Sequence, residues 1–124
     1  MKKLLCVIMC IGLILSLCAC TDLNDLSENL TKAGYEVKVM DESRIKGLNN
    51  DIKYAYSGVG SVTGGIYALG EKGEAVFCVS FADKDDMTLM YKQIKEQLED
   101  GQIIDSSGNI LVYGDEKGVK AALK

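Results

Sequence analysis

The chain predicts a small α+β domain: a mainly antiparallel sheet of four to five strands, in two layers, with helices mostly on one face. Three observations carry this. The apolar spacing after residue 21 switches between helical and period-two patterns several times. The segments run helix, strand, a meander of two or three strands, helix, strand, helix, which is not the regular alternation of a doubly wound parallel sheet. No proline, repeat or low-complexity linker interrupts them, so one domain is enough.

Each element has its own signal. Leu23, Leu26, Leu30 and Ala33 recur at helical intervals, Thr21 or Asp22 can cap the start, and Gly34 can supply the left-handed residue that ends the helix, giving 22–33. Tyr35 to Met40 alternates, with Tyr35, Val37 and Val39 on the buried side of a strand and Glu36 and Lys38 on the wet side. Residues 41–51 are polar, with room for one or two helical turns around Ile45 and Leu48. Ile52 to Ser57 reads as a short strand and Ser61 to Leu69 as a longer one. Gly70-Glu71-Lys72-Gly73 then forms a hairpin connection into Glu74 to Ala82. In that last strand Phe77, Val79 and Phe81 share a side that meets helices, and Cys78 and Ser80 point the other way. After Asp83, a candidate N-cap, Met87, Met90, Tyr91, Ile94 and Leu98 form one helical stripe, which Gly101 ends. A turn at Asp105-Ser106-Ser107-Gly108 leads to a strand at 109–113, and a helix at 115–123 closes the chain through Val119, Ala122 and Leu123.

The N-terminal stretch carries the most specific signal. Met1-Lys2-Lys3 precedes an uncharged run from Leu4 to Ala19, and Leu17-Cys18-Ala19-Cys20 closes it. Sixteen residues fall short of the ~20 a spanning helix needs, and Thr21-Asp22 provides no basic stop-transfer flank. The stretch resembles a bacterial lipoprotein export signal ending in a lipobox. That resemblance covers residues 1–20 alone. It implies a signal peptide over residues 1–19, cleavage between Ala19 and Cys20, and a diacylglyceryl group on the Cys20 thiol. The domain over residues 20–124 would then sit on the extracytoplasmic side of the cell membrane. Cys18 is the poorer acceptor, because the large, branched Leu17 precedes it. An uncleaved helical anchor and a plain secretory signal are the alternatives.

Composition agrees with that address. Without Lys2 and Lys3 the chain carries 12 basic and 18 acidic side chains, a formal −6. Such a body is repelled by an anionic surface, so attachment must come from acyl chains, two of which hold stably where one is marginal. Nucleic acid is not expected as a partner, since the basic residues are scattered singly among acids. The absence of a Gly/Ser-rich tether after Cys20 keeps the domain close to its membrane.

Chemistry-bearing motifs are few, and no catalytic site, metal site or cofactor is expected. There is no histidine, which removes the usual general base and the commonest zinc ligand. Four of the five cysteines, Cys6, Cys10, Cys18 and Cys20, lie in the export stretch, so Cys78 has no disulfide partner in the domain and reads as a small core hydrophobe. Gly58-Val59-Gly60-Ser61-Val62-Thr63-Gly64-Gly65 lacks the third fingerprint glycine, where Thr63 stands, and the Gly-Lys-Ser/Thr of a phosphate loop. It reads as a bent or bulged strand entrance, or as a surface where a partner's backbone comes close. Asp83-Lys84-Asp85-Asp86 starts like a calcium loop, but Met87, Thr88 and Ile94 fall where ligands or the turn glycine belong. Acids at a helix N-terminus complement the macrodipole. Ser43-Arg44-Ile45-Lys46 matches a penicillin-binding motif in letters only, without its partner motifs. The opening for a function is aromatic: Tyr54 and Tyr56 at strand spacing, with Tyr67 on the neighbouring strand, could line an open side of the sheet and bind a protein or small molecule.

Overall fold

A computed structural model of the chain describes residues 23–124. The export stretch, its cleavage site at Ala19 and Cys20, and the caps Thr21 and Asp22 lie outside the described residues. Along the rest run α1 (Leu23–Lys32), β1 (Glu36–Val39), α2 (Glu42–Tyr54), β2 (Val62–Leu69), β3 (Ala75–Phe81), α3 (Lys84–Gln97), β4 (Gln102–Ser107), β5 (Ile110–Asp115) and α4 (Glu116–Ala122). The strands form one sheet in the order β1-β2-β3-β5-β4, and every neighbouring pair is antiparallel. The fold is α+β, as expected.

The helices cover both faces, not mainly one, so the domain has three layers. Leu26 and Leu30 of α1 and Val119 and Ala122 of α4 close the first face over Ile66, Ala68, Val76, Cys78 and Val112. On the second face Ile52 of α2 and Met87 and Met90 of α3 pack on Val79, Phe81 and Leu111. The reason lies in β3, the central strand, whose side chains are apolar in both directions except at Ser80. A strand with two apolar faces has to be covered twice. Each fully buried leucine on these faces contributes roughly 1.5–3 kcal/mol.

Three elements depart from expectation. The polar stretch 41–51 and the first half of the short strand expected at 52–57 become one helix, α2, and residues 55–57 lead out of it with no strand. Asp41 caps it, its Oδ1 accepting from Arg44 N–H at 2.8 Å. Ile45, Leu48 and Ile52 supply its inward stripe. The turn expected at 105–108 is mostly strand β4, and the chain reverses only at Gly108, where φ is 59°. As an edge strand β4 keeps Asp105 and Ser106 in water, which is why it reads as a turn. Helix α3 stops at Gln97, and Gly101 (φ 85°) turns the chain into β4.

The expected bulge is present at the start of β2, where the register with β3 shifts between Val62 and Gly64. It turns Val62 onto the second face, while Ile66 and Ala68 stay on the first. Val39, expected to be buried, is 78% exposed at the end of edge strand β1.

Candidate functional site

The three tyrosines do not meet. Tyr54 is the last residue of α2 and 84% exposed, whereas Tyr56 follows the helix and packs half-buried against the second-face core. They therefore share no strand face. Tyr67 lies on β2 and belongs to a row that the sequence reading missed. Cross-strand register aligns Tyr67 with Phe77, Phe77 with Tyr113 and Tyr113 with Ile104. The ring centroids are 6.5 and 5.2 Å apart with interplanar angles of 30° and 22°, and the Arg44 guanidinium sits 5.3 Å over Tyr67. Burial pushes the Tyr113 phenol above its ordinary pKa, and the Arg44 charge opposes the rise only in part. With ring faces stacked on one another, a cation over Tyr67 and the second-face core beneath, the row is packed into the fold rather than presented as an open aromatic platform.

A concave feature lies elsewhere, where β1 ends and β2 continues. A groove of about 710 Å3 opens between the first turn of α1, the end of β1, helix α2 and the glycine-rich start of β2. Its apolar lining includes Leu23, Val39, Met40, Ile45 and Ile66, and its polar rim includes Lys46, Asn49 and Lys53. Glycines make the room. A Cβ on Gly65 would stand 2.6 Å from Met40 Sδ, and one on Gly64 would come within 3.4 Å of Leu23 Cδ1.

Two anchors fix the groove wall. Asn49 caps the bulged edge of β2, its Oδ1 accepting from Val62 N–H at 2.6 Å and its Nδ2 donating to Val62 C=O at 3.2 Å. Asp86, expected to serve the helix dipole in solvent, is instead 1% exposed. Its carboxylate accepts from Val59 N–H at 2.9 Å, Ser61 N–H at 2.7 Å and Ser61 Oγ–H at 2.7 Å, tying the glycine loop to α3. Burial works to raise its pKa. The bonds from the Ser61 hydroxyl and the Val59, Ser61 and Gly60 amides outweigh burial and hold the carboxyl below its ordinary value. Inside the loop Gly60 has φ 76°, and the Lys53 stem lies against it, with Cε 2.7 Å from where a Cβ would stand.

The groove escaped the sequence reading because residues 41–51 seemed featureless. Its signal was there: Glu42, Lys46, Asn49 and Lys53 recur at helical spacing on a side flanking the stripe of Ile45, Leu48 and Ile52, after a cap at Asp41. Chemically the lining can hold a ligand by apolar contact and two ammonium groups. Its one carboxylate is Glu42, and among the described residues no group of three or more Cys, Asp or Glu side chains converges to take a metal. Cys78 is fully buried beneath the first face, and burial pushes its thiol up to about 12. Among the described residues no helix is long and apolar enough to cross a membrane. The chain matches no family model, no curated protein and no solved structure.

Proposed function

We propose that this chain is a lipid-anchored, extracytoplasmic and non-catalytic binding domain that holds its ligand or partner in the groove at the end of β1. The address rests on Leu17-Cys18-Ala19-Cys20 behind Lys2 and Lys3, and on a body with a formal −6 that needs acyl chains to stay at a membrane. The observation that carries the binding role is the groove itself. At about 710 Å3, mostly apolar with a few fixed polar groups, it has the size and character of a small-molecule site. Mass spectrometry of the mature N-terminus tests the address: Cys20→Ser should accumulate as an unprocessed, unacylated chain, while Cys18→Ser should be processed normally. An intact chain from Met1 to Lys124 in wild-type membranes would replace the lipoprotein reading with a helical anchor.

A further inference from the structure

We infer that the groove takes one anionic phospholipid from the membrane, an acyl chain along its apolar lining and the phosphate between Lys46 and Lys53. This deepens the lipid-anchored reading and rests on it. Charge is the first argument. In a body of −6 the groove carries two lysines against Glu42, so it is locally positive where the rest of the surface is acidic. Among the described residues the one ion pair is Lys120 with Glu116, which leaves the Lys46 and Lys53 ammonium groups without a carboxylate partner. Unpaired cations beside an apolar trough fit a ligand with an anionic head and an aliphatic body.

Preorganisation is the second argument. Seven residues apart, Lys46 and Lys53 project from one side of α2, and Gly60 leaves the space in which the Lys53 stem lies. The loop that holds Gly60 is itself held by Asp86. Proximity is the third. Leu23 lines the groove three residues after Cys20, and three residues of extended chain span at most about 11 Å. An acylated Cys20 would therefore keep the groove within reach of the bilayer surface, where lipid is the most concentrated ligand. Two lysines are too few for binding to a charged surface as a whole. They suit one headgroup.

The experiment uses the full processed protein, extracted from membranes in mild nonionic detergent and examined by native mass spectrometry. Phosphatidylglycerol or phosphatidylcholine with identical acyl chains is added, or inorganic phosphate alone. We expect one phosphatidylglycerol per chain, held roughly tenfold or more tightly than phosphatidylcholine, with inorganic phosphate binding far more weakly than the lipid. Lys46→Gln with Lys53→Gln should remove that preference, the double arginine variant should keep it, and Lys95→Gln on α3 should change nothing. Gly64→Val, which places a side chain in the groove floor, should weaken both lipids. Equal retention of the two lipids, insensitivity to the double glutamine variant, or inorganic phosphate binding as tightly as lipid would each overturn the inference. The same spectra give the mass of the N-terminus, so a groove that binds no lipid is distinguished from a chain that is not acylated at Cys20.

Discussion

Replacing Asp86 with alanine should cost about 3–4 kcal/mol of folding stability, a large share of the ~5–15 kcal/mol available to a domain of this kind. The magnitude follows from what loses its partner. Three donors converge on this carboxylate, the Ser61 N–H, the Ser61 hydroxyl and the Val59 N–H. A buried donor left unsatisfied costs roughly 1–3 kcal/mol, and Val59 belongs at the lower end because it lies in an exposed part of the loop where water can replace the acceptor. Asp86→Asn keeps the volume but turns an amide N–H toward donors, so about 2 kcal/mol is expected. Urea unfolding followed by far-UV circular dichroism measures both, and acid supplies an independent check. Because the folded pKa of Asp86 lies below the ordinary carboxylate value, its contribution is fully present above the unfolded value of ~3.9. It disappears as pH falls through the folded pKa. The stability gap between wild type and Asp86→Asn should therefore be constant near neutral pH and narrow in strong acid. A loss under about 0.5 kcal/mol for Asp86→Ala, or a gap that does not narrow, would refute this account of the loop.

Other positions give sharper signs. Cys78, with its thiol near 12, should react with iodoacetamide at pH 8 orders of magnitude more slowly in the native chain than in urea, and rapid native labelling would mean that the first face opens. Cys78→Ala should lower stability by about 1 kcal/mol through a small cavity, read from the same urea curves. Two glycines should move in opposite directions. Gly114→Ala would put a Cβ 2.2 Å from Ala75 C=O at φ 132° and should cost more than about 3 kcal/mol, whereas Gly47→Ala, mid-helix with nothing within 4 Å, should gain roughly 0.5–1 kcal/mol. Tyr54→Ala should leave the melting temperature nearly unchanged, and a drop of more than a few degrees would show that this exposed ring packs against something.

An apolar strand buried on both faces was legible, and so was a helix with one apolar stripe. The apolar run within Glu74 to Ala82 and the Met87 to Ile94 stripe both lie where expected, the first because a β-branched and aromatic run bounded by turn residues marks a strand covered twice, the second because burial on one face writes a helical period into the sequence. Legibility failed where an element's apolar residues are few and most of its side chains are wet. Strand β4 keeps Ile103 for the first face and Ile104 for the second, while Gln102, Asp105 and Ser106 are exposed, so no alternation marks it. Helix α2 carries a stripe of three apolar residues among ten others, and reading Ile52 to Ser57 as a strand split it into the wrong elements. That error also produced the Tyr54 and Tyr56 pair. Tyr67 was placed on the correct strand, but its partners Phe77 and Tyr113 depend on register across three strands, which no local window contains.

Asp86 shows why the groove itself stayed hidden. An acid in the first turn of a helix, beside Asp83 and Asp85, looks like macrodipole dressing, and only the fold brings it under a loop 25 residues earlier. Once there, it determines what the glycine-rich segment is for. The Val59 and Ser61 amides point at a carboxylate of the protein's own, so those donors are already satisfied and the loop does not need an external anion to order it. Gly60, between them, turns with a positive φ and leaves the surface against which the Lys53 stem lies. The cation is thus supported by a loop whose conformation is set from the opposite side. A segment that imitates a phosphate cradle in its letters supports a lysine in this fold, and any anion recognition in the groove falls to side chains of α2 rather than to the glycine backbone.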